Sequence, residues 1–193
     1  MGDTITPGDE RQKRWGDADE RAALATDIVA AAVLRGRFTL RSGAVSDYYI
    51  DKYRFTTQPK LLVRITDALL PHVPADTQRI AGTVLGAVPL AVALSLRTGL
   101  PSVLVRADAK AYGTAKSVEG ELAAGERVLL IEDVVTSGGA AISAREALLD
   151  AGATVNGILA VIDRQEGGAE RLAAADVPFL ALFTRTELGL GGA

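Results

Sequence analysis

Residues 128–140 read Val-Leu-Leu-Ile-Glu-Asp-Val-Val-Thr-Ser-Gly-Gly-Ala, and the fold turns on them. The apolar run 128–131 has the length and β-branched content of a fully buried parallel strand. It is expected to end at two carboxylates, Glu132 and Asp133. A hydroxyl- and glycine-rich turn comes next, Thr136-Ser137-Gly138-Gly139, and then a helical run over residues 140–151. Open α/β sheets bind ligands outside the carboxyl ends of their strands, which puts a site at this turn. The turn suits an anion. Its glycines admit close backbone approach, Thr136 and Ser137 offer hydroxyls, and the helix start adds free N–H groups and partial positive charge. The two acids repel phosphate, so they suit hydroxyl groups or a hydrated metal ion. A phosphate cradle beside a diol-binding acidic pair fits a phosphorylated sugar. The bland alternative is an ordinary strand–turn–helix with acids at its end by chance.

Outward from this stretch, strands at 79–83, 102–106, 155–162 and 179–183 alternate with helices at 89–98, 140–151 and 169–175. That alternation predicts an α/β fold: a parallel sheet with right-handed crossovers, flanked by helices. Before it, the spacing predicts a helix over residues 20–34, with Leu24, Ile28 and Ala31 on one face and Gly36 closing it. Short strands at 38–40 and 47–51 flank the Arg41-Ser42-Gly43 turn. Pro59 opens a helix through residue 70, with Leu62, Ile65 and Leu69 inward. These elements are expected to form a small cap over the sheet's carboxyl edge. His72, in a Leu-Pro-His-Val-Pro loop, reads as a surface histidine. Residues 1–18 are charged and aperiodic, and read as a flexible arm in which Trp15 is a docking contact. Residues 19–193 then form a single domain.

A chain of 193 residues suits one domain, and 48% apolar with 23% charged residues is ordinary for a soluble globule. A net charge of -3 argues against broad nucleic-acid or membrane-surface binding. The absence of cysteine excludes disulfides and thiolate chemistry, and a single histidine excludes the usual His-rich metal sites. No uninterrupted apolar stretch reaches membrane-spanning length, and the charged N-terminus is unlike a secretory signal, so the cytoplasm is expected. There is no G-x-x-x-x-G-K-[ST] motif, and Gly189-Leu190-Gly191-Gly192-Ala193 lacks a strand-to-helix context.

Three further segments carry chemistry. Residues 107–125 are long for a loop inside a compact domain. Arg106 stands at the entrance, and the stretch holds Lys110, Tyr112, Gly113, Thr114, Lys116, Gly120 and Glu121. It reads either as a solvated hairpin or as a basic lid that closes on a polyanion and excludes water. Asp163-Arg164 follows directly after strand 155–162. Arg164 either pairs with Asp163 or Glu166, or holds a substrate carboxylate with its planar fork. Residues 38–51 gather Arg41, several small hydroxyls and three aromatics in one hairpin.

Two acids, two valines and Thr-[Ser/Thr]-Gly-Gly after a buried strand resemble the phosphoribosyl-pyrophosphate motif of type I phosphoribosyltransferases. The patterns F-x-L-[KR]-S-G-x-x-S-x-x-Y-x-D from Phe38, R-x-x-x-K-x-[HY]-G-T from Arg106 and D-R-x-E-G-G from Asp163 narrow the resemblance to the orotate phosphoribosyltransferases. The likeness runs over residues 20–190. Hypoxanthine- and adenine-type relatives would share the opening motif but not this set.

The resemblance implies a type I phosphoribosyltransferase fold with an N-terminal hood, in a cytoplasmic homodimeric transferase of pyrimidine biosynthesis. Its substrates would be orotate and 5-phospho-α-D-ribose 1-diphosphate, its products orotidine 5′-monophosphate and pyrophosphate, with no nucleic acid or membrane partner. By matched position, Glu132 and Asp133 would hold the ribose hydroxyls. Thr136, Ser137, Gly138, Gly139 and Ala140 would hold the 5-phosphate, with Val134 and Val135 in the same donor-binding stretch. Arg41, Arg106, Lys110 and Tyr112 would face the donor, Arg106 and Lys110 meeting the pyrophosphate partly across the dimer interface. The Leu85-Gly86 turn would approach it through backbone N–H groups. Tyr49, Thr136 and Arg164 would contact orotate, with Arg164 on its carboxylate. Lys110, Arg106 and Asp133 would be the catalytic residues. Magnesium would be held mainly by the donor's own oxygens, without a direct protein ligand, Asp133 reaching it through water at most.

Two departures stand out, and the lesser is Tyr112 in place of the frequent loop histidine, a substitution within family variation. Relatives commonly read Arg-Lys where this chain has Arg106-Ala107, one cation fewer. Two rival readings stay open: a phosphoribosyltransferase for another base, and a non-catalytic regulator that binds phosphoribosyl pyrophosphate. At this length, no fused decarboxylase domain is expected.

Overall fold

The computed structural model describes residues 18–39, 43, 45–106 and 117–190. Helix α1 (Ala18–Ala32) passes directly into strand β1 (Val33–Thr39), so Gly36 lies inside a strand and does not close the helix. Strand β1 pairs antiparallel with β2 (Val45–Ile50), and the register slips between Arg35 and Phe38, around Gly36. Leu34 and Arg35 pair across this hairpin with Tyr49 and Tyr48. Those partners, with the β-branched Val33 at the junction, outweigh the weak helix propensity that extended the expected helix to residue 34. A single turn, α2 (Tyr53–Thr56), leads to α3 (Pro59–Leu69), which starts on proline. Helix α3 buries Leu61, Ile65, Ala68 and Leu69, while Leu62 is only partly covered. His72 ends a 3-10 turn (Leu70–His72) and is half-buried, not exposed.

The expected alternation then appears: β3 (Arg79–Thr83), α4 (Val88–Thr98), β4 (Ser102–Val105), β5 (Val118–Glu119), β6 (Arg127–Val135), α5 (Gly139–Asp150), β7 (Thr154–Asp163), α6 (Gly168–Ala174) and β8 (Phe179–Thr184). Among the described residues the main sheet runs β5-β4-β3-β6-β7-β8. It is parallel except for β5, an edge strand too short to show a sequence pattern, which lies antiparallel to β4.

Strand β6 corrects the expectation that it stops before the acids. It continues to Val135, with Glu132 opposite Ala160 and Val135 opposite Asp163 on β7. Both carboxylates have partners on other elements, which is what lets a strand carry them into the interior.

The period of two along β6 divides the core. Leu129 and Ile131 join Leu24 and Ile28 of α1, Ile65 of α3 and Leu90 of α4 on one face. Val128 and Leu130 join Ala144 and Leu148 of α5 and Leu172 of α6 on the other. Each fully buried Leu or Ile contributes about 1.5–3 kcal/mol. Helices α1 and α3 therefore belong to the main core and are not a separate cap. What reaches the carboxyl ends of the strands from the N-terminal part is the β1–β2 hairpin and the segment after it. Arg21 ties α1 to β8, donating to the Leu182 carbonyl at 2.6 Å and lying over the Phe183 ring at 4.7 Å. At the amino-terminal edge, Arg79 forks onto Glu126 at 2.7 and 2.8 Å, so the two ends of the sheet differ in chemistry.

Candidate active site

The carboxyl end of β6 gathers the acids. The register sets Thr83 of β3 beside Glu132, and its hydroxyl donates to Glu132 Oε2 at 2.7 Å. Glu132 Oε1 is buried with no hydrogen-bond partner among the described residues. Burial pushes the Glu132 carboxyl up to about 7, against the opposing pull of the Thr83 hydrogen bond. A buried acid with one oxygen unspent suits a ligand hydroxyl.

Asp133 is arranged differently. Its Oδ1 accepts the Val134 N–H at 2.6 Å, and its Oδ2 pairs with Lys52 Nζ at 2.9 Å. Lys52 sits between β2 and α2 and was not among the residues the sequence pointed to. Burial works against its charge, but the Asp133 carboxylate outweighs that and holds the ammonium above the usual lysine range. The Leu85-Gly86 turn closes on the same pair. A Cβ on Gly86 would overlap the Asp133 carboxylate and lie 2.9 Å from Lys52 Cε, so only glycine fits there.

The anion loop follows. Helix α5 starts at Gly139, and its N-cap Gly138 takes a left-handed φ of 75°. The N–H groups of a helix's first turn have no partner inside it, and the Thr136-Ser137 hydroxyls directly precede them in the chain. The loop rests on the start of α6. A Cβ on Gly168 would come within 2.5 Å of the Thr136 carbonyl oxygen, which explains the second glycine of the Glu166-Gly167-Gly168 run. The exposed Arg171 guanidinium also borders the loop, with Nη1 3.5 Å from where a Gly139 Cβ would lie.

Arg164 leaves the end of β7 and is buried, its N–H donating to the Val135 carbonyl at 2.9 Å. Of its two candidate acids it pairs with Glu166, Nη2 to Oε1 at 2.8 Å, while Asp163 Oδ1 caps the Gln165 N–H at 2.8 Å. The guanidinium lies over the Tyr48 ring at 5.4 Å, and its Nε is buried with no hydrogen-bond partner among the described residues. Tyr49, the expected base contact, is instead half-exposed beside Phe38, ring centroids 5.7 Å apart. Successive strand residues face opposite ways, so one residue decides which tyrosine meets Arg164.

The carboxyl ends of β6 and β7 thus hold Glu132, Asp133, the 136–140 loop and Arg164 together. Arg106 stands at the carboxyl end of β4, its N–H donating to the Ser117 carbonyl at 2.8 Å. Val134 and Val135 supply packing, Val135 within the core. Arg41, Lys110, Tyr112 and Trp15 lie outside the described residues.

Residues 79–180 match the family model described as the phosphoribosyl transferase domain. The orotate phosphoribosyltransferase of Halobacterium salinarum is 48% identical over 167 residues, covering 84% of this chain and 95% of that protein. This chain belongs to the orotate phosphoribosyltransferase family. Solved orotate phosphoribosyltransferases share its fold. That of Mycobacterium tuberculosis H37Rv superposes with a TM-score of 0.79 at 34% identity, over 89% of this chain and 99% of that one. A second structure of the mycobacterial enzyme, in complex with 5-phospho-α-D-ribosyl 1-diphosphate, superposes at 0.75 with 32% identity over the same shares. The fold is that of a type I phosphoribosyltransferase, and the family's members are pentosyltransferases.

Proposed function

We propose that this chain transfers the phosphoribosyl group of 5-phospho-α-D-ribosyl 1-diphosphate to orotate, releasing pyrophosphate and orotidine 5′-monophosphate for pyrimidine synthesis. Arg164 carries the choice of base. Its guanidinium is buried, braced by Glu166 and Tyr48, and keeps an Nε–H with no partner among the described residues for a planar carboxylate. Purines and uracil have no such group.

The reaction breaks the bond from the anomeric carbon to pyrophosphate and forms one to the orotate ring nitrogen on the opposite face. Positive charge grows on the ribose as the leaving group departs. The protein's work is positioning and preorganised electrostatics, with no covalent intermediate. The 136–140 loop would fix the 5-phosphate, and Glu132 and Asp133 the ribose hydroxyls. Arg106 and, from the stretch outside the described residues, Lys110 would stabilise the departing diphosphate, with Arg41 and Tyr112 on the donor. Arg164 would hold the base in line.

Magnesium belongs to this proposal. The two acids and the unspent Glu132 Oε1 fit a hydrated divalent ion, but no group of three or more His, Cys, Asp and Glu gathers among the described residues. Donor oxygens would therefore hold most of it, Asp133 reaching it through water. When bound, it would neutralise charge on the diphosphate. A homodimer and a cytoplasmic location rest on the family kinship. The exposed Val92 and Leu96 on α4 fit a face covered by a second copy, and sedimentation at assay concentration checks that. No described helix is long and apolar enough to cross a membrane.

A base panel tests the reading. Orotate is expected to support pyrophosphate release, with uracil, adenine and hypoxanthine silent. Equal rates with uracil would remove the role given to Arg164.

A further inference from the structure

We infer that Lys52 is a diphosphate-binding cation of the donor site, held by Asp133 at the junction of the ribose acids and the Leu85-Gly86 turn. The inference rests on the transferase reading above and adds to it a residue that reading did not use.

Three observations carry it. Lys52 Nζ lies 2.9 Å from Asp133 Oδ2, so the ammonium is inside the site. Its stem crosses the Leu85-Gly86 turn, since Cε is 2.9 Å from where a Gly86 Cβ would be. The side chain is still 37% exposed, whereas Asp133 beneath it is 2% exposed. A ligand entering from solvent therefore meets the ammonium before the carboxylate.

The donor chemistry of the ammonium agrees. An ammonium has three N–H donors and no acceptor. Among the described residues Asp133 Oδ2 is the carboxylate that pairs with the Lys52 ammonium, at 2.9 Å, and one such contact does not use all three donors, so an entering oxyanion can take the others. A bare pair of adjacent buried acids would repel a diphosphate. The Lys52 charge offsets one of them where the leaving group must sit beside the ribose. A purely structural role is the competing account: a buried carboxylate needs a partner, and Lys52 supplies one.

The two accounts separate in a double-mutant cycle. Calorimetry with inorganic pyrophosphate and magnesium is run on wild type, Lys52→Met, Asp133→Asn and the double variant. Met keeps the stem and removes the charge. If Lys52 meets the diphosphate, Lys52→Met weakens pyrophosphate about tenfold or more in both backgrounds, as loss of a charge-assisted contact should. Lys52→Arg retains most of the affinity, and in turnover Lys52→Met raises KM for the donor but not for orotate. A loss seen only with Asp133 intact overturns the proposal, because Lys52 then acts through Asp133 alone. No loss in either background overturns it too. If the Met variant melts below assay temperature, Lys52→Gln carries the same cycle. A wild type that turns over while the cycle fails removes this inference only. One that neither binds pyrophosphate nor turns over removes the transferase reading and this inference with it.

Discussion

Thr83 on β3 donates its hydroxyl to Glu132 on β6 at 2.7 Å, while the other Glu132 oxygen is buried with no hydrogen-bond partner among the described residues. The carboxyl is raised from 4.5 to about 7, chiefly by burial, so the folded protein holds this proton more tightly than the unfolded chain. Stability from this group is greatest below the unfolded value of 4.5. It falls as pH rises toward 7 and levels off above. The full shift corresponds to roughly 3 kcal/mol. Glu132→Gln has no proton to lose. The unfolding free energy of wild type minus that of the variant should therefore drop by roughly 3 kcal/mol between acid and mildly alkaline pH. Urea unfolding across that range checks it, and a flat difference contradicts the buried-acid account.

Arg164→Lys keeps the charge and loses the fork. Orotate KM is expected to rise about tenfold or more, as for a charge-assisted contact, with donor KM nearly unchanged. Steady-state kinetics in both substrates decides this. Equal changes would make the Glu166 pair a structural brace and nothing more.

Gly168→Ala forces a methyl within 2.5 Å of the Thr136 carbonyl oxygen and Val135 Cγ1. Backbone on one side cannot give way cheaply, so the 136–140 loop must move. Overpacking of this kind costs about 1–3 kcal/mol. Donor KM should rise while orotate KM holds. An unchanged donor KM would mean that the loop does not depend on the start of α6.

Lys110→Ala tests the basic stretch that follows Arg106. A cation that meets the diphosphate as it departs stabilises the transition state more than the ground state. Turnover is expected to fall about tenfold or more, with the thermal midpoint unmoved. Wild-type turnover in the variant would end the role assigned to Lys110.

The sheet was legible where one physical cause dominates. Residues 80–82 and the run Val128–Ile131 are buried, and short stretches without charge, carrying β-branched Ile80, Val128 and Ile131, say so. The continuation of β6 through Glu132 and Asp133 was not legible, because it depends on Thr83 and Lys52 arriving from other elements. Lys52 itself reads as an ordinary surface lysine in Asp51-Lys52-Tyr53. Its one clue was its place, directly after a hairpin expected near the site. Tyr48 and not Tyr49 lies under Arg164, because successive residues of β2 face opposite ways and the sequence does not say which face the hairpin turns inward. The anion loop was readable because its chemistry is local: hydroxyls, glycines and a helix start follow one another along the chain.

Ala107 follows Arg106 where the resemblance implies a lysine, and a non-catalytic donor-binding regulator is the rival that the last measurement addresses. The deciding measurement is pyrophosphate release by the purified wild-type protein with donor and magnesium, with and without orotate. The account predicts release that requires orotate and matches orotidine 5′-monophosphate one for one. Tight binding of the donor with no orotate-dependent release would contradict it.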